Sequence, residues 1–337
     1  MSQARLRVIH AGPLVSVQDA GRFGQLRYGV SASGPMDRTG FAIANAALGR
    51  PQGATLIEVS LGGLVVECLQ GAVSFAVAGG GFSVECAGAK SNSWTVQTIE
   101  AGEKLAIRGG AWGSWSYLAF SGDMQAGEWL GSNATHSMSG FGGGSLQSGQ
   151  TIDIENAQTR SNRLGDIPCP AFAQPNGTAH VVIGPQDQHF DPASVQTLLS
   201  TPYHLTDGFD RMGVRLNGAK LTLSEALSIP SEPILRGSIQ VSGDGVPTVL
   251  LSDHQTTGGY PKIASVIGPD IERLSQMRAT DSIRFKSVTP EEAIALARNE
   301  TKHLHSYLTE LAKPRASLDE LLLSENLISG VVNVAEG

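Results

Sequence analysis

Residues 248–263 read TVLLSDHQTTGGYPKI, in which a short apolar run leads directly into a turn crowded with polar side chains. The same arrangement, an apolar run closed by a turn containing glycine or aspartate, also occurs as SFAVAGGG (74–81), SYLAFSGD (116–123) and HVVIGPQD (180–187). Apolar runs this short, ended by turn residues, are typical of buried β-strands. Because two of these units lie on each side of the middle of the chain, they also indicate an internal duplication.

The composition favours a β-rich globular protein with a large core. Of its 337 residues, 41% are hydrophobic and only 16% are charged, so the chain can bury a substantial interior. It contains 41 glycines but only 6% aromatic residues, a combination typical of many strands joined by tight turns. We therefore predict a mainly β protein.

Two short helices are predicted, one in each half of the chain. Residues 36–49, MDRTGFAIANAALG, place Asp37 at the N-cap position and precede the strand-like TLIEVS. Residues 190–200, FDPASVQTLLS, place Asp191 at the N-cap and Pro192 at the first helical position. Each half would then carry one small helix against a mostly antiparallel sheet.

The chain is predicted to have three parts. Residues 158–178 are polar and contain three prolines, which is typical of a linker. Residues 290–313 begin with proline and acidic residues and have apolar side chains at helical spacing, which predicts an amphipathic helix, and a second short helix is expected near 318–323. We place an N-terminal lobe at 1–160, a C-terminal lobe at 161–288 and a helical tail at 289–337.

Several classes of protein are disfavoured by the sequence. The net charge is -7 and the basic residues are dispersed, which argues against nucleic acid or an anionic membrane as the partner. No apolar run approaches the length of a membrane span and residues 1–10 lack a signal-peptide core, so a cytosolic location is expected. The three cysteines, at positions 68, 86 and 169, are widely spaced and favour free thiols over disulfides or a zinc site.

Common cofactor and catalytic motifs are missing from the sequence. It contains no G-x-x-x-x-G-K-[ST], G-x-S-x-G, H-E-x-x-H or G-x-G-x-x-G, and no Met-Lys dipeptide of the kind that carries biotin. We therefore expect no cofactor bound by a motif of this chain and no metal site. If the reaction requires energy, a partner must supply the activated group.

Polar clusters at the ends of the apolar runs supply the candidate site residues. Arg22, Arg211 and Arg236 each lie beside a glycine or an acidic residue in a predicted turn, where a guanidinium can bind a carboxylate through two hydrogen bonds. Proton donors and acceptors are offered by Asp253, His254, Tyr260 and Lys262. The backbone of Gly258 and Gly259 can approach a substrate oxygen closely, as an oxyanion site requires.

Structural roles compete with these functional ones. Arg22 and Arg211 can equally pair with the local acids Asp19 and Asp210. Asp37 is better explained as a helix cap than as a catalyst, and Glu58 can face solvent on an edge strand. The cluster at 253–262 is the exception, because seven polar groups bracketed by apolar strands exceed what a turn requires.

Taken together, the motifs VQDAGRFG (17–24), SGPMD (33–37), LIEVSLGG (56–63), LGSNAT (130–135), DRMGVRL (210–216), GSIQV (237–241) and DHQTTGGYPKI (253–263) resemble the biotin-dependent carboxyltransferase family. This family includes allophanate hydrolase subunit 2, KipA and the 5-oxoprolinase subunit PxpC. The resemblance covers residues from about 7 to about 286. It implies two cyclophilin-like β-barrel lobes and a partner subunit similar to KipI or PxpB.

Matched to the family's pattern, the candidate site includes more than the arginines and the proton donors. Alongside Asp253, His254, Tyr260 and Lys262 as catalytic candidates, the resemblance assigns substrate-binding positions to Gln18, Arg22, Asp37, Glu58, Arg211, Arg236, Gln240, Gln255, Thr256, Thr257, Gly258 and Gly259.

The resemblance implies three functional hypotheses. The first is a subunit of an ATP-dependent 5-oxoprolinase, which opens the lactam of 5-oxoproline to glutamate with a KipI/PxpB-like partner and a LamB/YcsF-like subunit, and is inactive alone. The second is a carboxyltransferase component acting on urea or allophanate, with carboxybiotin supplied through its partner. The third is a KipA-like regulatory protein that binds a kinase inhibitor and performs no chemistry.

Overall fold

The computed structural model describes residues 2–224 and 229–315, and the described part is mainly β. The strands of the first half are β1 (Gln3–Ala11), β2 (Ser16–Gln18), β3 (Leu56–Ser60), β4 (Leu64–Gln70), β5 (Ala72–Ala78), β6 (Gly81–Cys86), β7 (Ala89–Asn92), β8 (Thr95–Glu100), β9 (Lys104–Trp112), β10 (Trp115–Phe120), β11 (Asp123–Met124), β12 (Thr151–Glu155) and β13 (Gly165–Asp166). The runs at 74–81 and 116–123 are thus strands β5 and β10, as predicted.

These strands form two sheets that face each other across one core. The order in the seven-stranded sheet is β11-β12-β1-β4-β9-β6-β7, and in the six-stranded sheet it is β13-β8-β5-β10-β3-β2. Alternate residues of β1, such as Leu6, point inward and meet side chains of the second sheet, such as Phe75 and Leu118. This alternation is what a sheet with one buried and one solvated face requires.

The second half contains a closed barrel. Its strands are β14 (Thr178–Ile183), β15 (Tyr203–Phe209), β16 (Gly213–Asn217), β17 (Glu232–Pro233), β18 (Ser238–Val241), β19 (Pro247–Leu250), β20 (Thr257–Gly258), β21 (Lys262–Val266) and β22 (Ser282–Ser287). The barrel runs β14-β21-β18-β19-β16-β15-β22, and a parallel pairing of β14 with β22 closes it. Strands β17 and β20 form a separate two-stranded ribbon. The runs at 180–187 and 248–251 are strands of the barrel, as predicted.

The described helices are α1 (Arg38–Ala47), α2 (Pro192–Ser200), α3 (Gly268–Ser275) and α4 (Pro290–Leu311). The predicted caps are confirmed: Asp37 accepts hydrogen bonds from the backbone N–H groups of Thr39 and Gly40, and Asp191 accepts one from Ala193. Helix α4 confirms the helical tail, and the second helix expected near 318–323 lies outside the described residues. None of the described helices is long and apolar enough to cross a membrane.

A single hydrophobic cluster joins the two halves. It contains Ile43 of α1, Val181 of β14, Ile271 of α3 and Leu308 of α4. The segment predicted as a linker also holds the halves together, because Arg163 donates to the last carbonyls of two helices, 3.4 Å to Ala47 of α1 and 2.6 Å to Ala312 after α4. The boundaries at 160 and 288 stay a prediction.

Candidate active site

A buried cluster of charges lies where the two halves meet. Arg211 is 1% exposed and binds both oxygens of Asp253, with distances of 2.9 Å from Nε and 3.2 Å from Nη2. The Nη1 atom of Arg211 donates to Glu58, and Nη2 donates to the carbonyl of Gly34 at 2.6 Å. Glu58 and Gly34 belong to the first half and Asp253 to the second. One guanidinium therefore ties the two halves together.

The hairpin between β15 and β16 explains why Arg211 points into this cluster. Asp210 accepts the backbone N–H of Met212 at 2.8 Å and that of Gly213 at 3.2 Å, so its carboxylate closes the turn. The alternative pairing of Arg211 with Asp210 is therefore wrong. The Asp253 N–H donates to the Arg211 carbonyl at 2.8 Å, which holds the two residues side by side.

Glu58 is fully buried, so the alternative that it faces solvent on an edge strand is wrong. Its strand β3 lies between β2 and β10, which cover it on both sides. Besides Arg211, the Glu58 carboxylate accepts the Met36 N–H at 2.7 Å and the Tyr117 hydroxyl at 3.0 Å. Burial raises the pKa of Glu58, although the Arg211 charge opposes this. Arg211 makes the opposite difference at Asp253, whose pKa it lowers against the effect of burial.

Asp37 has a second role that the sequence did not reveal. Besides capping α1, its Oδ2 accepts a hydrogen bond from Gln276 Nε2 at 2.7 Å. Gln276 is fully buried at the end of α3, and its Oε1 accepts the N–H groups of Ser114 and Trp115 at 3.0 and 3.1 Å. Burial raises the pKa of Asp37 to about 7, with a further contribution from Glu272. Sequence reasoning missed Gln276 because a lone glutamine after a helix carries no pattern.

The three arginines do not converge on one anion as expected. Arg236 donates to Glu272 at 2.7 Å and to the carbonyl of Met36 at 2.6 Å. Together with a 2.6 Å bond from the Arg38 N–H to Glu272, these contacts clamp the start of α1 to α3. Arg211 and Arg236 are thus both neutralised by carboxylates of the chain itself.

Arg22 is buried but makes no ion pair within 4 Å among the described residues. Its guanidinium lies 4.7 Å from the centre of the Trp129 ring, and Nη2 donates to the carbonyl of Ala134. The alternative pairing with Asp19 is wrong, because that carboxylate accepts hydrogen bonds from the backbone and side chain of 132–133 and from Gly21. Burial lowers the pKa of Arg22, although Asp19 and Asp253 oppose this.

His254 follows the charge cluster directly and is 5% exposed. Its Nδ1 lies 2.7 Å from the carbonyl oxygen of Gln255. A carbonyl can only accept, so Nδ1 carries the proton and the neutral ring has its lone pair on Nε2. Burial lowers the pKa of His254, and the Arg236 charge lowers it further. At neutral pH the side chain is therefore an uncharged base.

Lys262 lies at the start of β21 and is 2% exposed. Its Nζ has no hydrogen-bond partner among the described residues. Its backbone N–H donates to Gln186 Oε1 at 3.0 Å, and the Gln186 side chain in turn binds Glu232 of β17. Burial lowers the pKa of Lys262, and the charge of Glu232 opposes this. An amine in such surroundings gives up its proton more readily than an exposed lysine.

The remaining predicted residues lie around an open pocket on the barrel. Gln240, Gln255 and Tyr260 line this pocket of about 410 Å³, together with Met212 and Leu250. Gln255 Nε2 donates to Gln240 Oε1 at 3.0 Å, and Gln240 Nε2 donates to the Tyr260 carbonyl at 3.2 Å. The two amides thus fix each other at the rim. A volume of this size suits a small molecule.

The two glycines at 258–259 hold a ribbon rather than an observed oxyanion site. Gly258 pairs with Glu232 between β20 and β17, and a Cβ at Gly258 would lie 2.9 Å from Gln240 Nε2. The Gly259 carbonyl accepts the Ile229 N–H at 2.8 Å. Thr256 contributes its carbonyl to the N–H of Ile234, and Thr257 lies in β20 with an exposed side chain. No group of three or more His, Cys, Asp or Glu side chains in 2–224 and 229–315 is placed to hold a metal ion.

Residues 28–287 match the family model of the carboxyltransferase domain, subdomain A and B. The chain is 31% identical over 292 residues to the C-type subunit of the 5-oxoprolinase of Haemophilus influenzae, covering 86% of this chain and 93% of that protein. It is 28% identical to a putative urea carboxylase of Emericella nidulans, covering 98% of this chain but only 28% of that protein.

A solved structure of TTHA0988 superimposes with a TM-score of 0.76 at 30% identity, covering 84% of this chain and 55% of that one. The urea amidolyase of K. lactis shares the fold, with a TM-score of 0.81 at 22% identity over 95% of this chain and 21% of that one.

Proposed function

The chain belongs to the carboxyltransferase domain family, and on that basis we propose that it is the C-type subunit of an ATP-dependent 5-oxoprolinase. The observation that carries this proposal is the match to the 5-oxoprolinase protein of Haemophilus influenzae, which extends over 93% of that protein's length. The similarity therefore spans nearly the whole of a separate subunit. In the urea carboxylase relative the match covers 28% of the length, so there it corresponds to one part of a much longer chain.

Opening a lactam needs a base for water and an acid for the leaving nitrogen. Oxygen from water forms a bond to the ring carbonyl carbon, the ring C–N bond breaks, and the nitrogen takes up a proton. In this proposal the Nε2 atom of His254 accepts the proton of water, because burial keeps that ring neutral. The Lys262 ammonium supplies the proton to the nitrogen, because burial weakens its hold on that proton.

The charge cluster has a positioning role in this scheme. Asp253 directly precedes His254 and is held by Arg211 through two hydrogen bonds and by the Ser137 N–H at 3.0 Å. Because Arg211 also binds Glu58 of the first half, the orientation of His254 depends on how the two halves meet. The cluster fixes the base without taking part in proton transfer.

ATP and the remaining groups are assigned to partner proteins. The sequence has no Walker motif, so the proposal places the activation of the lactam on a KipI/PxpB-like partner, and a LamB/YcsF-like protein completes the complex. The chain by itself is then inactive. Relatives that are subunits of 5-oxoprolinase support assembly into a larger enzyme.

The test is ATP hydrolysis that depends on 5-oxoproline, measured for the chain with and without its co-expressed partners. Turnover should need the partners and should fall by at least about 100-fold in His254→Ala. His204→Ala is the matched control, because His204 also places Nδ1 near a carbonyl, 3.2 Å from Thr280, but is exposed. Full turnover by the chain alone would refute its assignment to a multi-protein enzyme, and equal turnover of both variants would refute the role of His254.

Carboxyl transfer to urea is the second candidate, favoured by the urea carboxylase relative that covers 98% of this chain. It predicts that activity requires a biotin-carrying partner and is blocked by avidin. The 5-oxoprolinase proposal predicts no effect of avidin.

A further inference from the structure

Four buried polar atoms in the first half have no hydrogen-bond partner among the described residues. They are Nη1 of Arg22, Oγ of Ser31, Oγ of Ser33 and Oε1 of Gln18. Each of these residues is between 0% and 2% exposed. Buried polar atoms are nearly always paired, so four unpaired ones within 16 residues of sequence point to a polar ligand.

Backbone contacts bring three of these atoms into one neighbourhood. The Arg22 N–H donates to the carbonyl of Ala32 at 2.8 Å. Ala32 separates Ser31 from Ser33, so both hydroxyls lie next to the backbone of Arg22. The carbonyl of Gly34, which follows Ser33, accepts a 2.6 Å hydrogen bond from Arg211. The neighbourhood therefore adjoins the charge cluster that holds Asp253 and His254.

Gln18 reaches the same place from the neighbouring strand. Its Nε2 donates to the carbonyl of Thr135 at 3.3 Å, while Arg22 Nη2 donates to the carbonyl of Ala134. The two side chains therefore hold adjacent carbonyls of one loop. Each is fixed at one end and keeps one polar atom unused by the described residues, Oε1 on Gln18 and Nη1 on Arg22.

The unused atoms have a specific chemical complement. A guanidinium N–H and two hydroxyls can donate to an anion, whereas the Gln18 oxygen can only accept from an N–H group. Arg22 has no carboxylate within 4 Å in the described part of the chain, in contrast to Arg211 and Arg236. Its charge is thus available to an anionic ligand.

We infer that Arg22, Ser31, Ser33 and Gln18 form a subsite for a carboxylate with an adjacent N–H group. This class, the α-amido acids, includes 5-oxoproline, in which the ring nitrogen is bonded to the carbon that bears the carboxylate. The inference rests on the proposed function for the choice of that substrate. Urea lacks a carboxylate and would leave Arg22 without an anion, so the subsite also selects against it.

The test is calorimetric titration of the chain, in complex with its co-purified partners, with 5-oxoproline and with 2-pyrrolidinone, which has the lactam but no carboxylate. Arg22→Met should weaken 5-oxoproline binding by about 10- to 100-fold and leave 2-pyrrolidinone binding unchanged. Arg278→Met is the matched control, since Arg278 also donates to two carbonyls, at 2.8 and 2.9 Å, and its Nη2 likewise has no partner among the described residues.

Ser33→Ala keeps the arginine and its contacts, and should weaken 5-oxoproline binding several-fold even if Arg22→Met does not fold. Equal affinity of wild type and the Ser33→Ala and Arg22→Met variants for 5-oxoproline would overturn the inference. Failure of the proposed function is separable. If wild type does not hydrolyse ATP with 5-oxoproline, titration with N-acetylglycine, an open-chain α-amido acid, decides: tighter binding to wild type than to Arg22→Met supports the subsite, and equal binding overturns it.

Discussion

Replacing Arg211 by methionine should uncouple the two halves of the protein. The substitution removes four hydrogen bonds, two to Asp253, one to Glu58 and one to the Gly34 carbonyl. It also leaves the carboxylates of Glu58 and Asp253, each no more than 1% exposed, without their cation. Removing one partner of a buried ion pair typically costs about 3–5 kcal/mol, and we expect a loss of unfolding free energy in this range.

The loss should depend on pH in a defined direction. Without the guanidinium, one of the two buried carboxyls takes up a proton in the folded state that it does not hold in the unfolded state. Such a group, with its folded pKa raised, destabilises the protein as pH rises. The deficit of Arg211→Met relative to wild type should therefore be larger at pH 8 than at pH 5.5.

Urea unfolding followed by tryptophan fluorescence measures the effect, because Trp115 is buried near the junction. Arg215→Met is the control: its ion pair with Asp244 is about half exposed, and its loss should change stability very little. If Arg211→Met does not fold, adding Glu58→Gln and Asp253→Asn should restore folding, since all three charges are then gone. A deficit below about 1 kcal/mol at pH 8 would refute the reasoning, because breaking such a pair should cost several times more.

Three further outcomes are expected. Lys262→Met should keep or raise the melting temperature in calorimetry, because it removes a buried amine that has no partner among the described residues, while abolishing ATP hydrolysis dependent on 5-oxoproline; a large fall in melting temperature would contradict this. His254→Gln should lower kcat/KM by about 10²- to 10⁴-fold and remove the acidic limb of the pH–rate profile, which in wild type should lie below pH 6.5 because the pKa of His254 is lowered. Because the pKa of Asp37 is raised to about 7, the folded state holds a proton that the unfolded state releases, so wild-type stability should fall as pH rises toward 7. Asp37→Asn, which keeps the helix cap, should flatten this dependence in thermal unfolding between pH 5 and 8, and an unchanged slope would contradict it.

Features that depend on neighbouring residues were predictable from the sequence. The apolar runs became strands because four to six apolar residues ended by a turn fit a buried strand. Asp37 and Asp191 were recognisable as caps because a cap acts on backbone N–H groups two or three residues away. The family motifs also marked Arg211 and Asp253 as site residues, although not as partners of each other.

The sequence by itself determined the strand and helix positions, the family and the set of polar residues available for a site. Only the tertiary structure decided which of them meet: Arg211 lies 153 residues from Glu58, and Gln276 lies 239 residues from Asp37. Local elements follow from steric and hydrogen-bonding preferences within a few residues. Long-range pairs depend instead on how sheets and barrel stack, which no short window of sequence contains.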